Sequence, residues 1–130
     1  MAEQVYTEFM GKGTKKTLVL ELGDGEDIFE CIRQGMLQNN ISRAKILGFD
    51  GKIKEGKINY FVGNSFRSEE VENVLVGVAS GHYELKNKGT ELFGSLHIVV
   101  GPKGSTNSVS LTRGSAVEGL KIKIEFVEIK

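Results

Sequence analysis

The two histidines are the side chains best placed to do chemistry in this 130-residue chain. His82 is the penultimate residue of the run VLVGVASGHY and His97 lies in LFGSLHIVV, both strand-like, with the turn sequence LKNKGTE between them. A hairpin turning at 87–89 pairs Gly81 with Leu96 and sets His82 opposite Ser95. His97 then falls on the diagonal, about 7 to 8 Å from His82. Two imidazoles so placed could share a divalent metal such as zinc or handle a proton. A tetrahedral shell would still need a carboxylate, a water or a side chain from another subunit. A slip of one residue in register would put the rings on opposite faces. The plainer reading is a pair of partly buried or interfacial histidines.

Other chemistry is harder to assemble. The single cysteine, Cys31, cannot form an internal disulfide. It lies on an apolar stripe with no base expected beside it, which reads as a packed thiol rather than a nucleophile. GKGTKKT at 11–17 and GPKGST at 101–106 are rich in glycine and lysine, yet neither has the P-loop spacing or a following helix to aim amides at a phosphate. They read as turns, leaving Lys12, Lys15, Lys16 and Lys103 for anion contact. With no catalytic constellation, the sequence leans away from an enzyme.

The elements that must hold these residues are organised around 24–36. Ile28, Cys31, Ile32 and Met36 recur at spacings of three and four, widened by Phe29 and Leu37, with Glu30, Arg33, Gln34 and Gln38 opposite. That period predicts one amphipathic helix, with Asp24 as its cap and Glu26 and Asp27 in its first turn. Strand-like alternation is expected at 5–9, 17–22, 41–48, 53–62, 74–83, 92–100, 109–111 and 116–127. In the last run Leu120, Ile122, Ile124 and Phe126 point inward. Asp50-Gly51 is a tight-turn pair, Gly56 marks a bulge or bend, 64–73 reads as a polar connection, and 112–114 reads as a bend. The order of strands, one helix, then strands predicts an α+β domain spanning 1–130, its sheet antiparallel or mixed and the helix packed on it. The runs 74–83 and 92–100 are apolar on both phases, so a second layer or another subunit must cover the side away from the helix.

Composition sets bounds. Seventeen basic and seventeen acidic residues give no formal net charge, which removes the simplest argument for nucleic-acid binding. The lysines are scattered, and Lys121 and Lys123 with Glu125 read as a solvated strand face. Neither a signal-like nor a membrane-length apolar run occurs, so a cytoplasmic protein without membrane contact is expected.

Three phrases add a family likeness: Gly25-Glu26-Asp27 opening the helix, Ala44-Lys45-Ile46 entering a strand, and Ser80-Gly81 before His82. In this order, across about 6–128, the chain resembles the PPC (PCC) domain family, whose prokaryotic members are often likened to a plant DNA-binding protein. The resemblance implies a small α+β domain with an antiparallel sheet and a helix, commonly assembled as a trimer. It also implies a histidine cluster built from His-x-His and Gly-Gly-His-Leu phrases. Here those phrases read Ser95-Leu96-His97 and Ser108-Val109-Ser110-Leu111, so His97, Leu111 and the following Gly114 remain, and the family's acid before Ser-Gly falls at Leu75. The Arg-Gly-Arg-Pro hook of plant members is absent, and the only proline is Pro102.

Three readings follow. The first is a homotrimeric module that binds a ligand or a protein. The second is a metal-dependent ligand-binding protein or enzyme using His97, with His82, Ser95 and Ser110 at a subunit boundary. The third is a DNA-associated protein, which the charge distribution disfavours.

Overall fold

The computed structural model describes residues 2–10, 13–100 and 108–128. Its elements run β1 (Ala2–Met10), β2 (Gly13–Leu22), α1 (Ile28–Gln38), β3 (Arg43–Asp50), β4 (Lys52–Val62), β5 (Ser65–Lys86), β6 (Glu91–Val100), β7 (Ser108–Ala116) and β8 (Leu120–Glu128). All the strand pairings are antiparallel, in the order β1-β2-β8-β3-β5-β4-β7-β6, and β6 also pairs back with β5. The sheet therefore curls on itself, and its inward face wraps α1, which packs against β2, β5, β6 and β7.

The helix forms where the period predicted, but it starts later. Asp27 is the N-cap, its carboxylate accepting from the Glu30 N–H at 2.9 Å. Asp24 instead holds Lys54 at 3.0 Å, and Glu26 precedes the helix, accepting from the Gly23 N–H at 2.7 Å and the Cys31 thiol at 3.3 Å. Gly25 takes φ 76°, which explains why glycine opens this phrase. Asn39 caps the C-terminus and Asn40 turns the chain at φ 55°. Ile28, Cys31, Ile32 and Met36 are buried and Phe29 packs at the margin, edge-on to Tyr83. Leu37, expected on the stripe, is 44% exposed.

The core is one continuous set. Leu18, Leu20 and Leu22 from β2 meet Leu120, Ile122, Ile124 and Phe126 from β8, with Ala44 and Ile46 beside them. The inward phase of β3, Ala44 and Ile46, does not continue to Gly48: a bulge between Ile46 and Gly48 shifts the strand so that Phe49 turns inward. At Gly35 a side chain would come within 2.9 Å of Leu20, so the helix needs glycine there to lie this close to β2.

Three expected irregular segments are strand. Residues 13–16 belong to β2, with Gly11 and Lys12 outside the described residues. Residues 112–114 lie within β7, where a shift opposite Lys57 and Ile58 absorbs the extra residue. Residues 65–73 are the first half of β5, paired with β4 from Val62↔Ser65 inward. That half reads as a loop because residues 65–70 meet water on both faces, which hides the alternation that marks a half-buried strand. The expected loop at 101–107 falls outside the described residues. Among the described residues no helix is long and apolar enough to cross a membrane.

Candidate functional site

The β5–β6 hairpin takes the register expected from sequence: Gly81↔Leu96, His82↔Ser95 and Ser80↔His97. Close approach of the strands fixes it. A Cβ at Gly81 would stand 2.2 Å from the Ser95 carbonyl oxygen, so the Ser-Gly phrase is a place where only glycine fits. Ala79, Gly81 and Tyr83 turn inward, and Ser80 and His82 turn outward and are exposed.

His97 extends this row across the neighbouring strands. It faces Ser110 on β7, which faces Asn59 on β4, which faces Ser68 on the first half of β5. His97 Nδ1 and Ser110 Oγ are 3.3 Å apart, and Ser68 Oγ donates to Asn59 Oδ1 at 2.6 Å. The result is an outward polar row, Ser68-Asn59-Ser110-His97-Ser80, that begins and ends on β5. His82 and Ser95 form the next row. On the other side of the His97 row Val78 is 61% exposed, and Phe61 and Phe66 stand beyond Asn59 and Ser68 with their rings edge to face at 5.4 Å. The row through His97 and its apolar flank thus carry hydroxyl, amide, imidazole and apolar groups but no full charge, and the charges of the same face, Lys57, Glu70 and Arg113, lie beyond it.

Of the four site residues expected from sequence, the structure joins His97 to Ser110 and sets His82 beside Ser95. One imidazole and one hydroxyl do not complete a tetrahedral metal shell. Among the described residues no group of three or more His, Cys, Asp or Glu could hold a metal ion. Leu75, at the family's acidic position, is 55% exposed and adds no ligand. A metal at His97 would thus draw its remaining ligands from outside the described residues of one chain.

This row stands where the family phrases fall, and the family's sequence pattern, described as the Plants and Prokaryotes Conserved (PCC) domain, matches residues 10–124. The chain belongs to the PCC domain family. Solved structures agree on the fold. The metal-containing protein AF0104 of Archaeoglobus fulgidus is 20% identical, with TM-score 0.71 over 96% of this chain and 86% of that one. A plant- and prokaryote-conserved protein of Pyrococcus horikoshii is also 20% identical, with TM-score 0.66 over 95% and 85%. A Bacteroides thetaiotaomicron protein provisionally described as DNA-binding is 16% identical, with TM-score 0.61 over 96% and 83%. No curated protein matches the chain.

Cys31 is a buried thiol, as expected for this PCC chain. Burial, and then the Glu26 carboxylate beside it, push its pKa up to about 12, which disarms it as a nucleophile. Lys15, one of the lysines left for anion contact, instead pairs with Glu125 at 3.3 Å. Lys12 and Lys103 lie outside the described residues.

Sequence reasoning missed a second feature. A groove of about 1070 Å³ opens where β3 begins, β5 ends, β6 begins and β8 ends, lined by Arg43, Lys45, His82, Glu84, Phe93 and Val127 among others. Phe93 is 47% and Val127 52% exposed there. The only signal in the sequence was the apolar outward phase of β6, which does not reveal that four strand ends converge.

Proposed function

We propose that this PCC chain is a homo-oligomeric binding module, trimeric as the family resemblance implies, with the outer sheet face around His97, on β4, β7, β6 and β5, at its subunit boundary. One observation carries this reading: the outward row of His97, Ser110, Asn59 and Ser80, flanked by exposed Val78, Phe61 and Phe66, carries no charge of its own to keep it in water. Subunit interfaces are depleted of charge at their centre and enriched in aromatics, and exposed apolar patches of this kind mark contact surfaces. The row also supplies neutral donors and acceptors, so a small uncharged or weakly anionic ligand held at the boundary by His97 and Ser110, with His82 and Ser95 beside them, fits it better than a phosphate polymer does.

Native mass spectrometry at two protein concentrations tests the assembly. A trimer that persists on dilution supports the reading, and a monomer at both concentrations overturns it. The same spectra for His97→Ala test the site: an extra mass bound by the native protein should disappear in the variant while the subunit count stays the same.

A metal-dependent variant of this reading draws support from the metal-containing A. fulgidus neighbour. It requires metal stoichiometric with subunits that is lost in His97→Ala, and unchanged metal content in that variant would sink it. DNA association, suggested by the provisional description of the B. thetaiotaomicron neighbour, has less behind it. Seventeen cations balance seventeen anions in this chain, and the row through His97 holds none of the cations. Salt-sensitive retention on duplex DNA at about 50 mM salt would be needed to revive it.

A further inference from the structure

Three different chemical capacities stand side by side in the polar row. Ser110 is half-buried on β7, with His97 opposite it on β6 and Asn59 opposite it on β4. Directly opposed residues on one sheet face are about 5 Å apart at Cβ, so the three side chains can reach one small molecule. The 3.3 Å contact between Ser110 Oγ and His97 Nδ1 lets the hydroxyl donate to the ring when the ring proton sits on Nε2. A serine hydroxyl is a weak nucleophile by itself, and a base in contact with it is what activates it.

Asn59 supplies the complement. Its Oδ1 accepts from Ser68 Oγ at 2.6 Å, which sets the orientation of the amide and leaves its Nδ2 donors without a partner among the described residues. An amide N–H held beside a carbonyl oxygen stabilises the negative charge that grows there when the carbonyl carbon is attacked. Ser68 is thus a positioning residue for Asn59.

The adjoining row on the same face is apolar. Phe61 opposes Phe66 and Val99 opposes Val78, each two residues along its strand from a member of the polar row and so on the same side of the sheet. Among the described residues the last pair between β4 and β7 is Asn59↔Ser110, whereas β4 and β5 stay paired out to Val62↔Ser65. Phe61 and Phe66 therefore stand on a two-stranded arm beyond Asn59, 70% and 59% exposed. A molecule with its carbonyl over Ser110 can lay a short hydrocarbon chain along this apolar row, and neither row offers a charge to an ionic one.

We infer that Ser110 is an acyl acceptor for neutral esters of small apolar acids, with His97 as its base and Asn59 as donor to the carbonyl oxygen. This rests on the ligand reading of the same row proposed above and names the chemistry of that ligand. Ser110 Oγ attacks the carbonyl carbon while its proton passes to His97 Nδ1, and the oxygen that gains the electron pair accepts from Asn59 Nδ2. The bond from the carbon to the alcohol oxygen then breaks, and the alcohol leaves with the proton from His97. Water attacks the acyl group by the same route, releasing the acid and restoring Ser110. No carboxylate holds His97 among the described residues, so turnover is slow and the acyl group on Ser110 is the species to detect.

Native protein incubated with p-nitrophenyl butyrate tests it, read by p-nitrophenol release and by peptide mass spectrometry. The expected result is a butyryl group on Ser110, none at that position in Ser110→Ala, and acylation slower by about 100-fold or more in His97→Gln and by about tenfold or more in Asn59→Leu. Protein unfolded in urea should acylate Ser110 no faster than its other serines. Butyryl groups on lysines alone, or on Ser110 at equal rates in native, unfolded and His97→Gln protein, overturn the inference, and locating the group in native protein requires no variant to fold. A trimer that holds a ligand mass lost in His97→Ala but takes no acyl group also overturns it and leaves the binding reading standing. Ser110 acylated in a monomer supports the chemistry and overturns the subunit boundary, and a monomer that takes no acyl group overturns both.

Discussion

The inward and outward side chains of β5 and β6 meet opposite conditions although they share one backbone. Inward, Ala79, Tyr83, Leu96 and Ile98 are buried beneath the helix and joined to the rest of the core. Outward, Val78, Ser80, His82, Ser95 and His97 are exposed, and they are almost as poor in charge as the buried set. A surface that must stay in water normally carries Lys, Glu, Asp or Arg, and β8 shows the ordinary pattern, with Leu120, Ile122 and Ile124 inward and Lys121 and Lys123 exposed. The inner face of β5–β6 is finished within one chain. The outer face is exposed without the usual charge around His97, and the proposed function rests on that contrast.

The strongest way to break this comparison is to attack the finished side. Ile32 is fully buried on the helix stripe, and Ile32→Ala should cost about 2 to 5 kcal/mol in a urea melt. A loss under about 0.5 kcal/mol would mean that the helix is not clamped on the sheet. Gly81→Ala forces a methyl group into the Ser95 carbonyl oxygen, so it should destabilise by at least about 1 to 3 kcal/mol. A neutral result in the same melt would show that β5 and β6 can separate there at little cost.

Val78→Lys sharpens the comparison from the other side. A lysine at that exposed position should change the stability of a single chain by no more than about 0.5 kcal/mol while removing the concentration dependence of the melting midpoint that an oligomer shows. If the variant melts as low as Ile32→Ala at every concentration, the outer face is not the separate, unfinished surface described above.

Smaller effects come from the helix entrance. The Gly23 N–H first, and the Cys31 thiol second, hold the Glu26 carboxyl below its ordinary value of 4.5. A carboxyl depressed by folding adds stability above its unfolded pKa and loses it as pH falls through its folded pKa. The stability gap between native protein and Glu26→Gln should therefore be present at pH 7 and shrink as pH drops below about 4.5. A gap that stays constant down to pH 2 would remove the charge from the explanation. Cys31, raised to about 12, should react with a maleimide far more slowly in the native chain than in urea at pH 8, and equal rates would show that the helix opens readily.

How much could be read beforehand depended on how each segment meets water. The helix stripe and the last strand were legible because each buries one side and wets the other, leaving the period in the sequence. The register Gly81↔Leu96 was legible because a short turn at 87–90 fixes it. Residues 65–73 were misread as a loop because an arm wetted on both sides has no alternation to display. Asp24 was misread as the cap because either of two acids three residues apart could cap the same helix, and the choice fell to Lys54, which holds Asp24 from another strand. The pairing of His97 with Ser110 depends on β7 lying beside β6, a neighbour relation that residue spacing does not encode.

The sequence by itself determined the family, the helix with its buried stripe, the inward residues of the last strand, the β5–β6 register and the apolar character of both phases of β5 and β6. These are local, set by side-chain period and by turns of a few residues. Tertiary structure alone decided that the sheet curls back from β6 to β5, that Ser68, Asn59, Ser110, His97 and Ser80 form one row, and that an exposed aromatic hairpin end and a groove where four strand ends converge lie at opposite ends of one long strand. The reason is physical: each of these depends on which distant strands become neighbours, and packing of the whole core around one helix selects them.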